Sequence, residues 1–199
     1  MTTLLTKDLI DRCHAGSCSK GFWDETPNER QQLMLVVSEL AESLEAHRKG
    51  KVADWAKYNE RTAELVAMGP QYESFQPVLF QDYLKDSIGD EIADAAIRLC
   101  DYAGGFFTEP LDIEHLLICY GIERKFARVE GDNYGSDLLT VTQVVVNERA
   151  RGGLSSRSLA EAFAIVEALA DAYKVDLATH IDLKLKYNQS RPARHGKAY

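Results

Sequence analysis

Apolar residues recur along this chain in steps of three and four. Leu33, Val36, Val37, Leu40 and Leu44 mark one amphipathic helix, bounded by Pro27-Asn28 before it and Gly50 after it. Ile88, Ile92, Ala95, Ala96 and Leu99 repeat the pattern and run out at Gly104-Gly105. The same spacing predicts helices over Asp54–Ala67, Asp112–Val129, Leu138–Arg151, Ser158–Lys174 and Leu177–Asn188. Alternation of period two is weak; Val141–Val146 is the best strand candidate and lies inside one of these helices. The reading is an all-α helical bundle.

No low-complexity stretch or long linker divides the chain, so residues 1–199 are expected to form one domain. Two stretches interrupt the strong helices: an insertion at 51–85, polar and then rich in aromatics around Gly69-Pro70, and a short turn at Gly131–Gly135. A faint repeat lays Glu91–Leu99 on Glu161–Leu169, each followed two residues on by an aspartate, Asp101 and Asp171. It suggests a fused pair of helical hairpins in which only the first carries a full acidic set. The positions matching Glu39 and Glu42 fall among Val141 to Val145, and Ala164 replaces Asp94.

Composition changes this picture little: 45% apolar and 27% charged residues are ordinary for a globular chain. The longest aliphatic run, Leu33 to Val37, is too short to span a bilayer. The first twenty residues hold no apolar core behind a basic head, so no secretory signal is expected. Four cysteines without a Cys-x-x-Cys pair fit a reduced, cytoplasmic protein.

Charge matters more by region. The total of −8 argues against stable nucleic-acid binding. After Asp182 no acid occurs, while Lys184, Lys186, Arg191, Arg194 and Lys197 add five positive charges; residues 1–182 thus carry −13. An acidic body with a basic tail suits a metal-bound polyphosphate.

The acids have a pattern of their own. Glu39 and Glu42 share nearly one face of the first helix, and Glu91 and Asp94 one face of the second. Like charges at that spacing repel by a few tenths of a kcal/mol. If the two helices pair antiparallel, four carboxylates converge, and one or two hard, oxygen-seeking Mg²⁺ ions would relieve the repulsion. The plain alternative is two solvated faces, with Leu40, Leu44, Ile92 and Leu99 buried behind them. A di-iron bundle would need Glu-x-x-His, and no glutamate here has histidine three residues later. Glu45 and Asp90 are expected beside the site, and Asp101 beside Arg98. In the tail, Lys184 and Lys197 offer point charges, Arg191 a fork for phosphate oxygens, and Asn188 an amide for a sugar or base edge. Trp23, after Phe22, and Trp55 are candidates to stack on a base, with core anchoring as the alternative. His14 and His47 have no evident partner and are expected in solvent.

Ser38-Glu-Leu-Ala-Glu42 with its flank to Gly50, Asp90-Glu-Ile-Ala-Asp94 with its flank to Asp101, and Lys184-x-x-x-Asn188-x-x-Arg191-x-x-x-His195-Gly-Lys197 occur in that order. Together they resemble the MazG-like all-α nucleoside triphosphate pyrophosphohydrolases, whose pattern is Glu-x-x-Glu followed by Glu-x-x-Asp on a second helix. The resemblance implies hydrolysis of a nucleoside or deoxynucleoside triphosphate to the monophosphate and pyrophosphate, with Mg²⁺, or Mn²⁺ in its place. It implies that Glu39, Glu42, Glu91 and Asp94 hold metal, with Glu39 or Glu42 activating water. Lys184, Asn188, Arg191 and Lys197 would bind the nucleotide, and a homo-oligomer is expected. The chain departs from the pattern at Ser38, where many relatives carry another glutamate, and in the insertion; residues 105–180 match no part of it. A catalytically silent nucleotide- or protein-binding module is the competing expectation.

Overall fold

Polar side chains start most of the helices by accepting the N–H three residues on. Thr6, Asn28, Asp54, Ser87, Asn133, Ser155 and Asp176 each do so, satisfying a donor that the first helical turn leaves free. A computed structural model describes residues 3–107, 129, 131, 133–147 and 153–196, and every regular element among them is helical. The helices are α1 (Lys7–Ser19), α2 (Glu29–Arg48), α3 (Trp55–Ala67), α4 (Gln76–Tyr83), α5 (Ile88–Phe106), α6 (Tyr134–Asn147), α7 (Ser156–Ala172) and α8 (Leu177–Ser190). Short 3₁₀ turns lie at Pro70–Phe75 and Ala193–Gly196. No helix among the described residues is long and apolar enough to cross a membrane.

Helix α5 is the centre. Beyond its first turn Ile92, Ala93, Ala95, Ala96, Leu99, Cys100 and Ala103 are all buried, so it is apolar nearly all round. Its alanines let α1, α2, α7 and α8 pack against it. Tyr102, near its end, donates to Glu29 at the start of α2, while Ile88 N–H, at its start, donates to Lys51 just past α2. The two helices are therefore antiparallel. Helices α6 and α7 form a second antiparallel pair, in which Tyr173 Oη donates to Asp137 Oδ2 at 3.0 Å. Helix α2 packs on α6 and α5 on α7, so the pairs lie side by side. Val141 and Val145, where the repeat would put the counterparts of the α2 acids, are fully buried.

The insertion builds a small core of its own. Tyr58, Leu79, Phe80 and Leu84 are buried together with Tyr187 of α8, and the rings of Phe80 and Tyr187 stack with centroids 4.9 Å apart. It thereby braces one side of α8. The other constraint on α8 is Gly89 of α5: a Cβ there would lie 2.3 Å from Nε2 of the buried His180. Only a residue without a side chain lets α8 come this close, one turn before Lys184.

Several expectations shift. Helix α1 was not anticipated; its buried Leu9, Ile10 and Cys13 cover α5 and the Thr6 cap marks its start. Helix α4 occupies what read as an irregular aromatic run. The strand candidate Val141–Val146 is helical, because its alternating valines sit on a helix whose buried face is Leu138, Val141 and Val145. Helix α6 starts four residues before the expected Leu138, and the expected helix Asp112–Val129 falls outside the described residues except for Val129.

A Gly89→Ala substitution should overpack the α5–α8 contact and cost about 1–3 kcal/mol in urea unfolding. Parent-like stability would mean that α8 is not held at this distance.

Candidate functional site

The α2–α5 pairing brings the acids together. Val36, Leu40 and Ser43 bury one side of α2, and Glu39 on that side is only 6% exposed. At the start of α5, Asp90 and Glu91 occupy the first turn, where a helix N-terminus favours negative charge. Asp94 follows one turn on. Glu39, Glu91 and Asp94 each present an oxygen within 4.8 Å of the others, and Asp86, Asp90 and Glu91 form a second such group. Helix α8 adds Lys184, whose Nζ lies 2.7 Å from both Asp90 Oδ1 and Asp94 Oδ2. Asp90 also accepts from the Asp86 N–H at 2.9 Å. Arg98, one turn beyond Asp94, reaches across to Glu39 with Nε 3.1 Å from Oε1.

All of these groups except the more deeply buried Asp90 line one side of a cleft of about 760 Å³. The facing sides come from α1, through Gly16 and Ser17, and from α8 and the segment after it, through Asn188 and Arg191. The space is within the range of small-molecule sites.

Charge is unevenly spread here: seven acids and seven basic side chains line the cleft, but at its acidic end Glu39, Glu42, Glu91 and Asp94, with Asp90 behind them, stand against Lys184 and Arg98 alone. Burial, then the charges of Asp90 and Asp94, push the Glu91 carboxyl up to about 8. Burial also raises Asp90 to about 6, against the pull of Lys184, and raises Glu39 with help from Asp94. Burial alone would lower Lys184, but Asp94 and Asp90 more than offset it and keep the ammonium charged. Glu91 stands out: it is 5% exposed, faces the cleft, and makes no side-chain hydrogen bond or ion pair among the described residues. Without a cation such a carboxylate holds a proton; a divalent ion would replace that proton. The donors are all oxygen, which suits a hard cation.

The expected site residues divide. Glu39, Glu91 and Asp94 converge. Glu42 lines the same cleft but is exposed at its mouth, accepting from Ser38 Oγ at 3.3 Å. Asn188 and Arg191 line the cleft; Lys184 does too, but its ammonium is held by carboxylates. Lys197 lies outside the described residues.

Trp23 takes another place. Its ring packs on His14 and Phe106, with centroids 4.7 and 5.3 Å away, its Nε1–H donates to Asp101, and it fills the space over Gly105. Phe22 lines the cleft instead. Trp55 packs on Tyr58 and His180. Asp101 pairs with His14 at 2.9 Å rather than with Arg98, and His47 stacks on Tyr134 at 4.4 Å, so neither histidine is simply solvated. Glu45 binds Arg48 and Lys49 on the surface.

Sequence reasoning missed Arg98 as the partner of Glu39, Asp90 as a ligand of Lys184, and the α1 side of the cleft. The first was accessible, since Arg98 follows Glu91 and Asp94 at steps of seven and four on one helical face. Compared with protein-family models, curated proteins and solved structures, the chain matches none of them.

The raised Glu91 carboxyl has a consequence for stability. Between its ordinary 4.5 and about 8, the folded state holds a proton that the unfolded chain has released. Glu91's contribution to the stability of the metal-free protein should therefore fall as pH rises through that window, by something on the order of 1–4 kcal/mol, against the opposite trend of buried His180, held down at about 4. Denaturant unfolding of the parent and of Glu91→Gln at pH 5, 6.5 and 8 measures it as the difference between the two. An unchanged dependence in that variant would place the titration elsewhere.

Proposed function

We propose that this chain is a divalent-cation-dependent hydrolase that cleaves nucleoside or deoxynucleoside triphosphates to the monophosphate and pyrophosphate. The observation that carries this reading is the meeting of Glu39, Glu91 and Asp94 oxygens from two helices within 4.8 Å, in a cleft that also presents Asn188 and Arg191. The resemblance of the three sequence segments to MazG-like pyrophosphohydrolases supports it.

The residues present fit Mg²⁺, or Mn²⁺ in its place: the donors are hard oxygens, and Glu91 is a buried carboxylate with no other counter-charge of its own. Glu39, Glu91 and Asp94 would hold the ion, with Glu42 at the mouth. When bound, it would neutralise phosphate oxygens and lower the pKa of a water. The protein's own share is positioning and charge. Arg98 keeps Glu39 aimed at Glu91 and Asp94 and favours its ionised form. Glu42, exposed at the cleft mouth and accepting from Ser38 Oγ, is the carboxylate suited to accept a proton from attacking water. Arg191 supplies a cation for the departing pyrophosphate, and Asn188 an amide for the nucleoside. Lys184 acts from behind, fixing Asp94 and Asp90.

The decisive assay incubates the protein with Mg²⁺ and the common nucleoside and deoxynucleoside triphosphates, with phosphorus NMR of the products. Monophosphate plus pyrophosphate is expected. Glu91→Gln and Asp94→Asn should lower turnover by about two orders of magnitude or more with helicity intact. Diphosphate plus orthophosphate would mean a different bond is cleaved. Tight nucleotide binding without turnover would leave a binding module.

A further inference from the structure

Outside the acidic cleft, α1 carries a second set of chemically active side chains. His14 and Cys18 are four residues apart and share one face of the helix, the spacing by which two helical side chains meet on one metal ion. Nε2 of His14 lies 3.5 Å from Sγ of Cys18. Neither residue lines the cleft, and Cys18 is exposed.

The imidazole is held from three sides. Its Nδ1 pairs with Asp101 Oδ1 at 2.9 Å, and that buried carboxylate also accepts from Trp23 Nε1 at 2.9 Å. The Trp23 ring packs edge-on against the imidazole, with centroids 4.7 Å apart. From α5, Gly104 lets His14 in: a Cβ there would lie 2.5 Å from the Cβ of His14. Because an ionised carboxylate only accepts, the ring proton is fixed on Nδ1, and Nε2 turns its lone pair to Cys18. One ring nitrogen on a carboxylate and the other left to ligate is how a metal-binding histidine is oriented.

Two chemistries use a cysteine, a histidine and a carboxylate in this order. A thiol nucleophile needs its sulfur as an anion before it reacts. Cys18 sits in the last turn of α1, where the helix end disfavours an anion. Partial burial, then the charge of Asp101 and to a smaller extent that of Asp24, also hold its thiol above the ordinary value. Those negative surroundings welcome a cation instead. The geometry agrees: a tetrahedral ion bound at about 2.0 Å to nitrogen and about 2.3 Å to sulfur sets these atoms roughly 3.5 Å apart.

We propose that His14 Nε2 and Cys18 Sγ form a binding site for a borderline-soft divalent transition ion of the Zn²⁺ type, with Asp101 as its positioning residue. Water completes the coordination, and the thiol proton passes to solvent as the sulfur–metal bond forms. Mg²⁺, which prefers oxygen, does not compete. The site is independent of the hydrolase reading.

The test titrates the reduced, full-length protein with Co²⁺, a coloured stand-in for Zn²⁺, in a large excess of Mg²⁺. It follows the near-ultraviolet charge-transfer band that cobalt gives only when bound to a thiolate. In the parent the band should saturate at one ion per chain and disappear when Zn²⁺ is added. Cys18→Ser should abolish it, although the other three cysteines remain. His14→Gln should weaken Co²⁺ binding at least tenfold, and Asp101→Asn about tenfold or more while leaving the band in place. Circular dichroism checks that each variant folds; if Asp101→Asn does not, the two α1 variants decide. A parent without the band, a band that survives in Cys18→Ser, or an unchanged affinity in His14→Gln overturns the site.

Discussion

Lys184 sits 2.7 Å from both Asp90 and Asp94 with almost no exposure, and the acidic cleft depends on that contact because unpaired carboxylates are costly to bury. Removing the ammonium would leave two shielded anions beside three more. Its position is in turn set by the approach of α8 to α5 at Gly89 and by the insertion, whose Phe80 ring lies 5.6 Å from Nζ. A glycine, a histidine packed over it and an aromatic minicore thus place one charge. The insertion is tied to the site through packing even though it lends the cleft only Lys85.

The same ammonium limits what the cleft can do alone. Glu91 is buried beside Asp90 and Asp94 with no ion pair of its own among the described residues, and burial first, then those charges, make it prefer a proton at neutral pH. A site that only had to be stable would replace such a residue with an apolar one of similar size. Retaining a carboxylate here makes sense if something positive and exchangeable completes the set. Lys184 and Arg98 fix the ends of the donor array while Glu91 is left unpaired between them.

The fold class and the central helix pair were legible because their signal is local. Three- and four-residue spacing marks α2 and α5, capping residues mark their starts, and acids on one face of each predict convergence once the pair is antiparallel. What was not legible depends on distance along the chain. Arg98 meets Glu39 across 59 residues, and Lys184 meets Asp90 across 94. Lysine and carboxylate are each common enough that no spacing singles out the pair. Helix α1 was overlooked for another reason: its apolar face is narrow, and Gly16 weakens the helical pattern just where the helix borders the cleft. Trp23 shows the converse, since an aromatic residue just before an acidic helix reads as a stacking platform, while its indole N–H is used on buried Asp101.

The two helix pairs then differ in a way that bears on function. In α2 and α5 the facing surface carries acids; in α6 and α7 the corresponding positions are Val141, Val145 and Ala164, all buried or nearly so. Apolar contact makes the second pair a stable platform that gains nothing from a cation. The first pair gives up part of that contact to like charges, and α2 recovers support by packing on α6 as well as on α5. A strained acidic interface is affordable only beside a strong apolar one. Acids on both pairs would repel across two interfaces at once, whereas their confinement to one leaves the rest of the bundle to hold the helices in place.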